Sequence, residues 1–133
     1  MRANTASEAP TITESVPSTA ALNGIYFLDA DTGWLVGSPG TVLRTVNAGQ
    51  SFDTLASDSS LGTLSDVRFI NYQKGWAAGS SGLFLTTNGG ATWISQSTGT
   101  TNDLNGVSFT DANTGTAVGN GGTILRTTNG GAT

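Results

Sequence analysis

The amino-acid sequence predicts an all-β chain, and three observations carry that expectation. First, a box rich in Asn and Gly recurs. It reads Thr45-Val46-Asn47-Ala48-Gly49-Gln50-Ser51-Phe52, then Thr86-Thr87-Asn88-Gly89-Gly90-Ala91-Thr92-Trp93, then Thr127-Thr128-Asn129-Gly130-Gly131-Ala132-Thr133, so its Asn falls at 47, 88 and 129 with a period of 41 residues. Second, apolar residues between the boxes alternate with period 2, the pattern of half-buried strands, and no segment sustains a helical period. Third, 19 glycines cut every candidate segment to a few residues. A fixed period of this size denotes a repeat architecture, and four short antiparallel strands per repeat make the blade of a β-propeller.

Each repeat has the same order of elements. A first strand reads Gly24-Ile25-Tyr26-Phe27-Leu28, Asp66-Val67-Arg68-Phe69-Ile70 and Gly106-Val107-Ser108-Phe109-Thr110, with the three Phe in register. A turn then ends at Gly33, Gly75 or Gly115, where glycine is expected to supply a positive φ. The second strand covers Trp34 to Gly37, Trp76 to Gly79 and Thr116 to Gly119. A second turn, Ser38-Pro39-Gly40, Ser80-Ser81-Gly82 or Asn120-Gly121-Gly122, leads into a third strand at 41–45, 83–86 and 123–127. The box then turns the chain into a fourth strand, at 51–55 and 92–96.

The termini suggest a permuted cut. Thr11-Ile12-Thr13-Glu14-Ser15-Val16 lies two periods before Trp93-Ile94-Ser95-Gln96-Ser97-Thr98, with Ile12 matching Ile94 and Ser15 matching Ser97. The expected organisation is a disordered tail at 1–10 and three propeller repeats over 11–133. Within these, 11–16 is an orphan fourth strand, 17–55 is repeat 1, 56–96 is repeat 2, and 97–133 is repeat 3 lacking its fourth strand. Closed propellers typically have four to eight blades. Three repeats are therefore expected to form a half-propeller or part of a larger one.

Composition excludes several functions. The 133 residues carry a net charge of −4 with only 11% charged residues and no Lys/Arg run, so no footprint for nucleic acid exists. Histidine and cysteine are both absent, which removes the commonest general base, the commonest transition-metal ligand and any disulfide. No apolar run reaches the roughly 18 residues of a membrane span. Met1-Arg2-Ala3-Asn4 has no apolar segment behind it, so no intact signal peptide is read. Low charge with abundant Thr, Ser, Gly and Asn suggests an extracellular, periplasmic or cell-surface location.

The box resembles the Asp-box (BNR) motif, Ser/Thr-x-Asp-x-Gly-x-Thr-Trp, at Thr86, Asn88, Gly90, Thr92 and Trp93, with Asn in place of Asp. The longer pattern of Leu-x-x-Val-x-Phe, Gly-Trp-x-x-Gly and Gly-Thr-x-Leu-x-Thr-x-Asn-Gly-Gly is similar to the photosystem II assembly/stability-factor family of propellers. That resemblance covers residues 11–133 and implies a structural turn at the blade periphery, built on Thr45, Asn47, Gly49, Thr86, Asn88, Gly90, Trp93, Thr127, Asn129 and Gly131. Two departures stand out: the Asp is Asn in every copy, and the first copy has Ala48, Gln50 and Phe52 where the second has Gly89, Ala91 and Trp93.

Candidate sites are few. Asp29-x-Asp31-x-Gly33 looks like the start of a calcium loop, but Leu35 and Val36 stand where further ligands belong, so a hydrogen-bonding turn is expected and no metal or cofactor. A sialidase-type glycosidase shares the box but needs an arginine cluster and a nucleophile with carboxylate partners. Arg2, Arg44, Arg68 and Arg126 do not assemble one at any convincing spacing, Arg44 and Arg126 reading as solvated third-strand positions. The chain is therefore read as no enzyme. Tyr26, Arg68, Tyr72 and Lys74 break the repeat and are candidate ligand contacts, the bland reading of Arg68 and Lys74 being a solvated pair. The assembly strands are Ile12, Ser15 and Val16 at one end, and Ile124 and Arg126 at the other. Unpaired edges recruit other chains. The expected function is protein–protein interaction and self-assembly by intermolecular strand complementation, giving a dimeric ring or a filament. The partner is another copy, the remaining blades of a larger propeller, or a different protein. A glycan-binding, lectin-like propeller is the alternative.

Overall fold

The computed structural model describes residues 21–131. The tail expected at 1–10, the orphan strand with Ile12, Ser15 and Val16, and the last two box residues, Ala132 and Thr133, lie outside the described residues.

Among the described residues eleven strands form three antiparallel sheets, each a simple meander. The first blade contains β1 (Ala21–Phe27), β2 (Gly33–Ser38), β3 (Thr41–Thr45) and β4 (Asp53–Ser57) in that order. The second contains β5 (Leu64–Phe69), β6 (Gly75–Gly79), β7 (Gly82–Thr86) and β8 (Ile94–Gln96). The third contains β9 (Leu104–Phe109), β10 (Gly115–Gly119) and β11 (Thr123–Thr127) among the described residues. Register repeats with the sequence: Leu35 faces Leu43, Ala77 faces Phe84, and Ala117 faces Leu125. The inner strands lie side by side, tied by Asn23 Nδ2 donating to the Leu64 carbonyl and Val107 N–H donating to Asp66 Oδ2.

Alternation places one face of each blade on the next. From the first blade Trp34, Val36 and Val42, all fully buried, meet Val67, Phe69, Ala77 and Phe84 of the second. Trp76, Ala78 and Leu83 of the second blade meet Val107, Phe109 and Ala117 of the third in the same way. The joints centre on ring stacks. Trp34 lies flat on Phe69 with centroids 3.6 Å apart and an interplanar angle of 7°, and Trp76 lies on Phe109 at 3.5 Å and 3°. Such a pair contributes about 0.5–1.5 kcal/mol beyond its buried area.

The turn glycines require a correction. Gly33, Gly75 and Gly115 do not have positive φ. Each lies under the Phe of its own blade: a Cβ would stand 2.7 Å from the Phe27 ring, 2.6 Å from Phe69 or 2.5 Å from Phe109. The Gly-Trp pair thus splits its work. Glycine makes room for the ring of its own blade, and tryptophan covers the ring of the next. Positive φ is found in the second turn instead, at Gly40, Gly82, Gly121 and Gly122.

Candidate functional site

The box closes on itself in the same way in each blade as far as its residues are described. In the second, Thr86 Oγ1 donates to Asn88 Oδ1 at 2.9 Å and accepts from Gly90 N–H at 3.0 Å. Asn88 Oδ1 also accepts from Thr92 N–H at 3.0 Å, while Asn88 Nδ2 donates to Thr92 Oγ1 at 2.7 Å. Thr45, Asn47, Gly49 and Ser51 repeat these bonds, as do Thr127, Asn129 and Gly131 for the part described. Asn serves as well as Asp because one side-chain oxygen accepts while the amide finds a hydroxyl acceptor.

The box is also a joint between blades, which its local sequence does not reveal. Trp34 Nε1 donates to the Gly89 carbonyl at 2.9 Å, and Trp76 Nε1 donates to the Gly130 carbonyl at 3.2 Å. The accepting glycines share φ of +74°, whereas the first box carries Ala48 there at +63°, a strained conformation for a residue with a Cβ. The third blade breaks the pattern on the other side: Thr116 stands where Trp34 and Trp76 stand. A Gly-Trp motif reading Gly115-Thr116 was the signal available in the sequence.

The blades at the two ends therefore present unlike open faces. On the first, Leu22 and Ile25 are 39% and 55% exposed. On the third, Val118 and Ile124 are 45% and 74% exposed where Val36 and Val42 are fully buried. Beside Ile124, Arg126 is exposed, and β11 pairs with β10 alone among the described strands.

The remaining expected residues are held by internal contacts. The Arg68 guanidinium lies over the Tyr26 ring at 4.9 Å, linking inner strands of neighbouring blades. Lys74 Nζ lies over Trp76 at 5.7 Å. Arg68 and Lys74 thus address different rings and do not form the solvated pair expected of them. Tyr72 is 54% exposed, and its hydroxyl donates to Asp29 Oδ2 across the first joint. Arg44 is not solvated: it is half-buried, its Nε has no protein partner, and its Nη1 lies against Gly89. The Asp29 loop is a hydrogen-bonding turn, Oδ1 accepting from Asp31 and Thr32 N–H at 2.9 and 2.8 Å. Asn71 and Asp111 cap the equivalent turns. Donation from Tyr72, then from the two backbone amides, holds the Asp29 carboxyl below its ordinary range. Backbone donors lower Asp111 and Asp58 in the same way, and Asp29 raises the Tyr72 phenol. Among the described residues no three Asp or Glu converge on a common point.

Docked four-strand meanders and a hydrogen-bonded box at each third-strand exit define a β-propeller repeat scaffold. Residues 3–95 match the family model described as Photosynthesis system II assembly factor YCF48, and the chain belongs to that family. Two solved structures are similar. One, of YCF48 bound to D1 peptide, is 28% identical with a TM-score of 0.75 over 89% of this chain and 40% of that one. The other, YCF48 from Cyanidioschyzon merolae, is 27% identical with a TM-score of 0.71 over 90% of this chain and 40% of that one. The chain spans about 40% of the length of both. The comparison with curated proteins returned no match.

The family is one of assembly factors, not of glycosidases or other enzymes. It also overturns the expected extracellular, periplasmic or cell-surface location, because it is named for the assembly of photosystem II, a complex of photosynthetic membranes. The misleading Thr, Asn and Gly content has a structural origin: these residues build the boxes and turns and carry no address.

Proposed function

We propose that the chain is a non-catalytic propeller-repeat module for protein–protein interaction, and that it also self-assembles by strand complementation. A relative in the same family was solved with D1 peptide bound, which supports a protein segment as partner. The observation that carries the reading is the unlike pair of open faces flanking two closed joints. Among the described strands β11 pairs with β10 alone, and Ile124 and Val118 lie exposed where equivalent residues are buried.

Under this reading 11–16 supplies the fourth strand of another copy's third repeat. The chain divides as a tail at 1–10, then 17–55, 56–96 and 97–133. Extrapolating the β7–β8 register sets Ile12 opposite Arg126. The contact is heterologous, so it closes into a ring or propagates as a filament. Deleting residues 1–17 is expected to abolish any assembly seen by light scattering. An unchanged oligomer after the deletion refutes strand complementation and leaves only the broader interaction reading.

A further inference from the structure

Five Asn–Gly pairs stand in the sequence, at 23–24, 88–89, 105–106, 120–121 and 129–130. Such a pair can react within itself, because the glycine nitrogen, unhindered by a side chain, can attack the asparagine Cγ. The fold treats the five unequally. In the boxes both reacting groups are held. Asn88 Oδ1 accepts from Thr86 Oγ1 and Thr92 N–H, its Nδ2 donates to Thr92 Oγ1, and the Gly89 N–H donates to the Gln73 carbonyl at 2.9 Å. Asn129 Oδ1 likewise accepts from Thr127 Oγ1, and the Gly130 N–H donates to the Asn113 carbonyl at 2.9 Å. Gly24 and Gly106 lie in strand ladders opposite Val36 and Val118, and Asn23 Nδ2 is tied to the Leu64 carbonyl of the next blade.

Asn120–Gly121 differs. It forms the turn between β10 and β11, where the Asn120 N–H donates to the Asp103 carbonyl at 2.9 Å and the Thr123 N–H donates to the Asn120 carbonyl. Neither bond engages the Gly121 nitrogen, and Gly121 stands outside the ladder at φ +67°. Asn120 Oδ1 accepts from Asn105 Nδ2 at 3.0 Å. That donor points at the oxygen on which negative charge develops when Cγ is attacked, a placement that favours addition. All of these contacts lie within residues 103–123. The counterparts in the second blade, Ser80 and Ser81, are also exposed although the linker that follows their blade is in place. We infer that Asn120 is a site of spontaneous covalent modification, deamidation through an intramolecular imide. The Gly121 nitrogen bonds to Asn120 Cγ and gives up its proton. The Cγ–Nδ2 bond breaks, and ammonia leaves with that proton. Water then adds to either imide carbonyl and that carbon's bond to the ring nitrogen breaks, leaving an aspartyl or isoaspartyl residue at position 120. No oxidant or reductant takes part. The chain becomes one unit more negative than its present −4. In the isoaspartyl form the main chain runs through Cβ, which lengthens the turn between the paired residues Gly119 and Thr123. The reaction does not depend on how the chain assembles.

The test ages the whole chain in heavy-oxygen water at mildly alkaline pH. Peptide mapping by fragmentation mass spectrometry then places each oxygen taken up. Position 120 is expected to convert about 10-fold or more faster than 88 or 129, the margin set by a hydrogen bond that a box asparagine must give up to react. In concentrated urea the five pairs should converge in rate, since the selection comes from the fold. Asn105→Ala should slow conversion at 120 several-fold. Asn105 is exposed, so this variant retains the fold, which circular dichroism checks. Conversion led by any other Asn–Gly pair, or an unchanged order of rates in urea, overturns the proposal. An Asn105→Ala chain that converts as fast as the parent overturns the role given to that donor.

Discussion

Replacing Trp34 tests whether the blades are joined ring on ring through the box. The side chain is fully buried, stacked on Phe69 at 3.6 Å and bonded to the Gly89 carbonyl at 2.9 Å. Trp34→Ala deletes the stack and opens a cavity, a change that costs about 3–5 kcal/mol in packed cores. Trp34→Phe keeps much of the ring but removes the indole donor, leaving a buried carbonyl without it; such losses cost about 1–3 kcal/mol. At roughly 4 °C per kcal/mol for a domain of this size, the two variants should melt about 12–20 °C and 4–12 °C below the parent. Repeat arrays are coupled between nearest neighbours. Trp34→Ala should therefore free the first blade, so that amides of β1–β4 exchange with deuterium before those of β5–β11. Urea unfolding followed by far-ultraviolet circular dichroism, with hydrogen exchange by mass spectrometry, reads both effects. Two results would rule out a ring-on-ring joint. One is a Trp34→Ala cost below about 1 kcal/mol, well short of the range for buried aromatic truncation. The other is protection lost evenly over all three blades.

The same geometry sets further expectations. Gly75→Ala should destabilise by about 1–3 kcal/mol or more, because its Cβ would stand 2.6 Å from the Phe69 ring, itself pinned by Trp34; thermal melting checks this. Asp29 has a folded-state carboxyl held low by Tyr72 and two backbone amides, so its contribution is present above the unfolded value near 3.9 and is lost as pH falls through the depressed folded value. Asp29→Asn should flatten the acid limb of a stability–pH curve while keeping the turn, since Asn71 already caps the equivalent one. Thr116→Trp restores the missing ring at the open face of the third blade. If copies join there, with Phe27 as the stacking partner, sedimentation should show association tightened by about 10-fold or more, the equivalent of 1.4 kcal/mol.

Much of the fold was legible because the repeat supplies three copies of each signal. Phe27, Phe69 and Phe109 mark the inner strands, and the Asn at 47, 88 and 129 marks the third turn, so strand positions hold to within a few residues. The partners across a joint were not legible. That Trp34 reaches Gly89, or that Gly33 is small to admit Phe27, depends on blade-to-blade distance, which no spacing within one repeat encodes. Arg44 was misread for the same reason: alternation gives its face but not the neighbouring box that covers it. Location was misread because box chemistry dominates the composition.

The exposed blade faces and the β11 edge are proposed to recruit another protein chain, in the first instance a second copy. Native mass spectrometry of the purified chain across a concentration series decides this. A discrete dimer, from two sets of three repeats closing together, or a ladder of head-to-tail oligomers is expected. A folded monomer at every concentration would contradict recruitment of a second copy.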